Sequence, residues 1–395
     1  MIHGSLMIGT IANFFVVLVL ALFFSWIFRK MKLPSLLGAL IAGLIIGPSF
    51  LNLINISDVY SNQWLLFVGN MGGLILVFLV GLESRFEEFT SFSKEAGIIG
   101  VSGLIFTFAL CLAFSLAVGV SLPASLLLSA GLSISTSLPG LTSVMAMKKG
   151  RTRAAKIFSV SSIVDDIIGL ILLFLIISGF KSNGFDLEGI SVYLALIAVF
   201  WFIAYLIVPR LSSWIYKRFA YPSDQTIAML TLVFLTLAAL LSEEFLYEAS
   251  FGVFLVGLAF SKLHPLYRYE IKRVFLQLGD SFFFPLFFVM IGLIANFKSL
   301  AIGYWFVFAL LLFLVALFSK VIGAYIGGIL TKLSQKESLA IGLALTSRGG
   351  VTLVISSIAL STGIINEPIF ASIVFVSIAT TLICPVLVRL GFSRI

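Results

Sequence analysis

Hydrophobic residues run along this chain in long blocks, and polar residues are confined to the short stretches between them. Blocks of about 17–25 apolar residues are long enough to cross a bilayer as helices. The pattern predicts thirteen spans. Their approximate limits are 6–28, 33–51, 64–82, 96–118, 124–147, 155–178, 189–209, 226–242, 246–261, 278–297, 304–330, 338–360 and 369–388. The stretches between them are too short for a soluble regulatory domain, so residues 1–395 are expected to form one membrane domain.

The composition agrees with this pattern. Of the 395 residues, 61% are hydrophobic and 11% are charged, whereas soluble domains carry about 25% charged residues. This excludes a soluble enzyme, a nucleic-acid-binding protein and a disordered chain. Cys111 and Cys384 both lie in apolar spans, so no disulfide framework or metal cluster is expected from them. The prediction is an all-α polytopic membrane protein without a cofactor.

Basic residues test the count of spans, because Lys and Arg collect in cytoplasmic loops. Of the 25 Lys and Arg residues, 21 fall on one side of the thirteen spans, and only Lys181 and Lys298 fall on the other. The N-terminus is therefore predicted outside and the C-terminus in the cytoplasm. Topology accounts for most of the net charge of +8 and requires no anionic partner. Lys320 and Arg348 remain, and both lie within predicted spans.

Two adjacent carboxylates, Asp165 and Asp166, lie near the middle of the sixth span. An ionised carboxylate at that depth costs about 2.5–3.5 kcal/mol, so a purely structural pair is disfavoured. Neighbours on a helix point about 100° apart. One side chain is therefore expected to face a water-filled cavity and the other a neighbouring helix.

Lys320 lies deep in the eleventh span and needs a buried counter-ion. An Asp of the sixth span is the anion at comparable depth, so an ion pair between Lys320 and one of these carboxylates is predicted. This pair is either a permanent structural bridge or one that breaks during function, because a buried Lys can deprotonate.

Helix-breaking residues occur in the fifth span, around Thr136, Ser137, Pro139 and Gly140, and in the twelfth span, at Arg348 followed by two glycines. Unwound backbone in a membrane is tolerated only where it lines a cavity or is buried in protein. The two spans are seven apart and share a similar motif, GLSISTS and GLALTS, which is typical of inverted repeats with broken helices that cross at the midplane.

The inverted repeats predicted from this motif are about 6–178 and 226–388, with a connector helix at about 189–209. Arg348 is expected either to neutralise the half-helix C-terminal ends or to take part in gating.

Several motifs together resemble the Kef-type branch of the cation:proton antiporter superfamily, the bacterial sodium/proton exchangers. The main ones are LPSLLGALIAGLIIGPSF from position 33, LVFLVGLESRF from 77, STS at 135–137 followed by VDDI at 164–167, FPLFFVMIGL from 284 and SRGGVTLVIS from 347. The resemblance spans nearly the whole chain, and the order and spacing of the motifs make it specific.

This resemblance implies a core domain that moves like an elevator against a dimerisation domain, in a homodimer in a bacterial-type plasma membrane. It also implies that Asp166 carries the cation or the proton. Asp165 would then pair with Lys320, and Thr136 and Ser162 would supply oxygen atoms near a sodium ion at Asp166. One departure is Gly350, which stands where the family often has Glu.

Electrogenic exchange of Na⁺ for H⁺ is thus the expected activity, with Li⁺ or K⁺ as possible cations and K⁺/H⁺ antiport as the alternative. A cation channel is less favoured because no repeated filter sequence is present. An intramembrane protease is disfavoured because adjacent aspartates on one helix point apart. On the outer side, Glu243, Glu244 and Glu248 form either a cation funnel or a solvated loop face.

Overall fold

The computed structural model describes residues 2–31, 33–54, 63–83, 89–181, 187–218, 223–246, 249–301 and 303–395. Helices make up most of these ranges, and no strand occurs within them. The α-helices are α1 (Ile2–Lys30), α2 (Ser35–Ile46), α3 (Gln63–Glu83), α4 (Phe89–Ala117), α5 (Leu122–Ser133), α6 (Ser137–Ala146), α7 (Arg153–Lys181), α8 (Leu187–Arg218), α9 (Asp224–Leu246), α10 (Ala249–Phe260), α11 (Pro265–Leu278), α12 (Phe284–Ile294), α13 (Gly303–Leu330), α14 (Gln335–Ala344), α15 (Gly350–Ser361) and α16 (Glu367–Phe392).

Seven helical segments in the described part of the chain are long and apolar enough to cross a membrane by themselves. They are Ile11–Lys30, Leu65–Glu83, Lys94–Ala117, Asp224–Phe245, Pro265–Ile294, Gly303–Leu330 and Glu367–Phe392. Four shorter apolar helices accompany them, namely α2, α5, α10 and α15. An integral membrane protein follows from these segments.

The tenth predicted span begins earlier than the sequence suggested. Residues 265–277 were expected to lie between two spans, but they belong to α11, which continues through a π-helical turn at Gly279–Phe283 into α12. In this turn the Phe284 N–H donates to the Gly279 carbonyl, five residues back. Pro285 follows and has no N–H, so one of the regular hydrogen bonds between residues i and i−4 of the helix is missing. The helix therefore runs on past the apolar block, along a basic amphipathic stretch.

The fifth and twelfth predicted spans are both broken, as expected. Residues 134–136 connect α5 to α6, and residues 345–349 connect α14 to α15. The fifth span was predicted to break around Thr136, Ser137, Pro139 and Gly140. Thr136 lies in the observed break, whereas Pro139 and Gly140 lie in the first turn of α6. Proline is tolerated there because the first N–H groups of a helix have no partner within the helix.

Glycines divide the helices into two closely packed groups. In the first group, a Cβ on Gly81 of α3 or on Gly257 of α10 would collide with the backbone of the other helix. Gly43 of α2 and Gly292 of α12 likewise lie against each other's helix backbones. In the second group, Gly323 of α13 approaches the backbone of α4. Such contacts allow two helix backbones to touch and hold them in one register.

Between α3 of the first group and α15, one of the half-helices next to the second break, the glycines meet side chains instead. A Cβ on Gly73 of α3 would lie 3.1 Å from Val354 Cγ2 of α15, and one on Gly350 would lie 3.1 Å from Leu76 Cδ1 of α3. Side-chain ends can shift, whereas two backbones in contact cannot. At these glycines α3 and α15 therefore meet through side chains and not through their backbones.

Candidate functional site

The two extended segments cross and bond to each other. The Thr136 N–H donates to the Ser347 carbonyl at 2.9 Å, and the Ser347 hydroxyl donates to the Thr136 carbonyl at 2.5 Å. The Thr136 side chain packs against Gly349, which has no side chain to exclude it. Backbone groups that the unwound segments leave without helical partners therefore form hydrogen bonds inside the protein, as is required within a membrane.

Two cations neutralise the C-terminal ends of the half-helices α5 and α14. Lys320 of α13 donates from Nζ to the carbonyl of Ser133, the last residue of α5, at 2.7 Å. Arg348 donates from Nη1 to the Thr346 carbonyl at 3.0 Å and to the Leu345 carbonyl at 3.2 Å. Exposed carbonyls at a helix C-terminus carry partial negative charge. Both cations therefore stabilise the broken helices electrostatically.

Arg348 also ties the crossing to neighbouring helices. Its Nη2 donates to the Ala316 carbonyl of α13 at 3.2 Å. Its own N–H donates to the Thr380 hydroxyl at 3.2 Å, and its carbonyl accepts from the Thr381 hydroxyl at 2.6 Å. The side chain is fully buried. Structural neutralisation, one of the two roles left open by the sequence, is thus visible, whereas the gating role stays a prediction.

The predicted ion pair of Lys320 involves Asp165. Lys320 Nζ lies 2.6 Å from Asp165 Oδ1 and 2.8 Å from Asp165 Oδ2. Asp165 Oδ2 also accepts from the Ser135 N–H at 2.8 Å, just before α6 begins. The carboxylate therefore faces the positive N-terminal end of α6 as well as the ammonium. Both side chains are fully buried.

Asp166 has a different environment although it is the next residue on α7. It is partly exposed, whereas Asp165 is fully buried. Among the described residues, no hydrogen bond or ion pair involves its carboxylate. Ser162, one turn earlier on α7, is buried, and its hydroxyl has no hydrogen-bond partner. Asp166 and Ser162 thus place two oxygen-bearing groups with unused bonding capacity on one face of the helix.

Sequence reasoning missed Ser135, Thr380 and Thr381. Ser135 contributes its backbone N–H to Asp165, a role that residue type does not reveal. The two threonines hold the backbone of Arg348 from α16. Consecutive hydroxyls in the middle of the thirteenth span were the available signal, but hydroxyls in membrane helices often bond to their own backbone.

The arrangement suits a small monovalent ion. Two carboxylates and two cations at the crossing balance in charge, and of these two carboxylates Asp166 is the one without a partner among the residues that the structure describes. The described residues hold no group of three His, Cys, Asp or Glu side chains that could bind a metal ion together. Hydroxyl, carbonyl and carboxylate oxygens are hard ligands typical of hard cations. An oxygen site of this kind can hold a proton or an alkali cation.

Comparison with known proteins gives consistent results. The sequence profile of the family described as "Sodium/hydrogen exchanger, transmembrane" matches residues 17–390. The chain is 29% identical to the Na(+)/H(+)-K(+) antiporter GerN of Bacillus cereus over 366 residues, which cover 91% of this chain and 90% of that protein. It is 29% identical to the probable Na(+)/H(+) antiporter GerT of the same organism over 345 residues, covering 86% and 88%.

The fold has a solved counterpart. The sodium proton antiporter MjNhaP1 of Methanocaldococcus jannaschii superposes with a TM-score of 0.75 at 19% sequence identity, over 98% of this chain and 97% of that one. At this identity the likeness concerns the fold alone. The helical architecture built around the crossing is therefore that of a solved transport protein.

Proposed function

We propose, since the chain belongs to the sodium/hydrogen exchanger family, that it is a secondary antiporter that exchanges sodium ions for protons and that Asp166 is its carrier residue. The observation that supports this role is the contrast between the two carboxylates. Asp165 is fully engaged by Lys320 and the Ser135 N–H, whereas Asp166 is partly exposed and has no protein partner among the described residues.

Exchange then follows from competition at one carboxylate. Asp166 can hold a proton or a sodium ion but not both, so loading one releases the other. The Ser162 hydroxyl, one turn away, supplies a further oxygen, and we assign Thr136 of the crossing to the same ion. Asp165 lies beside the site and contributes negative charge rather than a free ligand.

We further propose thirteen spans and an elevator-like movement between two bodies. The glycine contacts support this division, because backbones touch within each group of helices while α3 and α15 meet only through side chains. The first group would be the dimerisation domain and the second the core domain that carries the crossing. Sliding of the two bodies against each other at this interface would open the ion site to one side of the membrane and then to the other, without unfolding either body.

The stoichiometry proposed is two protons per sodium ion. If the ion pair between Asp165 and Lys320 breaks during the cycle, it takes up and releases a second proton. One net charge then moves per turnover, and transport is electrogenic.

Na⁺ is the proposed cation, and K⁺ is the alternative because GerN is named for both ions. We place the protein as a homodimer in a bacterial-type plasma membrane, with the N-terminus outside and the C-terminus in the cytoplasm. The distribution of basic residues supports this orientation.

The test uses inverted membrane vesicles with an imposed pH gradient. Adding Na⁺, K⁺ or Li⁺ in turn shows which cation dissipates the gradient, and sodium is expected to act at the lowest concentration. More protons on the same side should raise the apparent KM for sodium without lowering the maximal rate. Asp166→Asn should abolish the response, whereas a response that persists in this variant would remove Asp166 from the carrier role.

A further inference from the structure

Two buried hydroxyl groups near Asp165 have no hydrogen-bond partner among the described residues. They belong to Ser135, in the extended segment between α5 and α6, and to Ser161 of α7. Serine hydroxyls on helices can bond to a carbonyl of their own helix, as Ser129 of α5 does at 2.6 Å and Ser159 of α7 does at 3.0 Å. A buried polar group without a partner costs free energy. The two unused hydroxyls therefore require an explanation.

Both serines adjoin the Asp165 carboxylate. Ser135 donates its backbone N–H to Asp165 Oδ2 at 2.8 Å, so its hydroxyl belongs to a residue that already contacts this carboxylate. Ser161 lies four residues before Asp165, which places the two side chains on one face of α7 with their Cβ atoms about 5–6 Å apart. Helical side chains also lean toward the N-terminus. Asp165 therefore leans toward the turn that contains Ser161.

The packing of α4 supports the position of Ser161 beside the ion pair. A Cβ on Gly100 would lie 2.8 Å from the Ser161 carbonyl oxygen, and one on Gly103 would lie 3.5 Å from Lys320 Cε. Positions 100 and 103 are neighbours on one face of a helix. Ser161 and Lys320 thus pack against the same stripe of α4, and Asp165 is the ion-pair partner of Lys320 on the face that carries Ser161.

Lys320 now makes the hydrogen bonds that these hydroxyls are able to make. Its Nζ donates to both carboxylate oxygens of Asp165 and to the Ser133 carbonyl, which uses all three of its N–H groups. Asp165 thereby receives two bonds from Lys320 and one from the Ser135 N–H. If Lys320 leaves, the carboxylate loses two donors, and two hydroxyls with unused O–H groups lie next to it.

The other charges around Asp165 are already engaged. Asp165 interacts electrostatically with Lys320, Arg348 and Asp166, and Arg348 donates to carbonyls of its own segment and of α13. Helices α5 and α6 have no ionisable side chain. The remaining ionisable groups described on the neighbouring helices are Cys111 of α4 and Cys384 of α16, which interact with Arg348, and, near helix ends, Glu83 of α3, Lys94 and Glu95 of α4, Arg210, Lys217 and Arg218 of α8, and Lys336 and Glu337 of α14.

We infer that the hydroxyls of Ser135 and Ser161 are alternative donors that bind Asp165 when Lys320 releases it. This inference rests on the proposed function, in which the ion pair breaks and yields the second proton. As the pair opens, the Lys320 ammonium loses one proton to water and becomes neutral, while Asp165 stays ionised and accepts from both hydroxyls. Hydrogen bonds to a carboxylate favour its ionised form, so the two serines stabilise the open, deprotonated state. They are positioning residues, because they act through Asp165.

The first experiment measures sodium/proton exchange against pH in proteoliposomes. Without the hydroxyls the open state is harder to reach, so release of the second proton needs a higher pH. The pH at which exchange rises to half of its maximum should increase by about one unit in Ser135→Ala and in Ser161→Ala, and by more in the double variant. Ser129→Ala removes a buried hydroxyl that is already bonded within α5 and should leave this pH unchanged.

A pH profile of the double variant equal to that of the parent protein, or an equal shift in Ser129→Ala, would overturn the inference. If the parent protein does not exchange sodium for protons at all, the proposed function fails. The donor role of the two serines is then decided by the second experiment, which needs no transport.

The second experiment compares melting temperatures of purified variants in detergent. In the parent protein the two hydroxyls have no partner, so Ser135→Ala combined with Ser161→Ala should leave the melting temperature unchanged or raise it slightly. In the Lys320→Met background Asp165 needs new donors, and the same double change should lower the melting temperature by a few degrees. Ser129→Ala should have the same effect in both backgrounds.

A lower melting temperature of the double serine variant in the parent background would contradict the inference, because it would show that the hydroxyls already hold a permanent partner such as a bound water. The absence of a further loss in the Lys320→Met background would contradict it as well. If Lys320→Met does not fold, the parent-background melt and the pH profile decide.

Discussion

Lys320 Nζ lies 2.6 Å from Asp165 Oδ1, and neither side chain is exposed. The same ammonium bonds to the C-terminal carbonyl of α5, and the same carboxylate bonds to the Ser135 N–H before α6. One ion pair therefore satisfies both sides of the break in the fifth span. Opening the pair would therefore also free the backbone groups at two half-helix ends.

Removing Lys320 alone should strongly destabilise the fold. Lys320→Met leaves Asp165 as a buried charge without its partner, and such changes cost about 3–5 kcal/mol. Asp165→Asn combined with Lys320→Met should recover roughly half of that loss, because no charge remains and Asn can still accept from Ser135. Melting temperatures of the purified variants in detergent measure the difference. A double variant no more stable than Lys320→Met would argue against this pair as the source of the cost.

Asp165→Asn should change the charge moved per turnover. If Asp165 supplies the second proton, the variant exchanges one proton for one sodium ion and becomes electroneutral. Its rate in proteoliposomes should then no longer respond to a membrane potential clamped with potassium and valinomycin. Asp165→Glu, which keeps a carboxylate, should retain the response. Unchanged activity and charge movement in Asp165→Asn would refute the two-proton proposal.

Arg348→Lys should destabilise the crossing because a single ammonium cannot reach the carbonyls of Thr346 and Ala316 together, as the guanidinium does. Losing one such hydrogen bond to a charged group costs about 1.5–3 kcal/mol. The melting temperature and the transport rate should therefore both decrease. If transport were lost with an unchanged melt, gating would be the main role of Arg348.

A pair of glycine substitutions tests the division into two bodies. Gly257→Ala places a Cβ against the backbone of α3, and overpacking of this kind costs about 1–3 kcal/mol. In Gly73→Ala the Cβ meets Val354 and Phe287 side chains at 3.1 and 3.3 Å, so we expect normal folding with slower transport. Melting temperature and maximal exchange rate separate the two effects. Equal destabilisation by both variants would mean that α3 and α15 belong to one rigid unit.

The sequence by itself determined the membrane class and the residues that carry charge inside it. Apolar blocks of this length are typical of helices that cross a bilayer. A charge at membrane depth costs free energy that a charge in a loop does not, so such residues can be identified from the sequence. Asp165, Asp166, Lys320 and Arg348 could therefore be selected from 42 charged residues without coordinates.

Only the tertiary structure showed which contacts these four residues make. The residues alone left open which Asp pairs with Lys320, because two neighbours on one helix are equivalent until the surrounding helices are placed. The family resemblance implied Asp165, and the structure pairs Lys320 with that residue. The sequence could not reveal the link from Arg348 to Thr380 and Thr381, since this link depends on contacts between segments far apart in the chain.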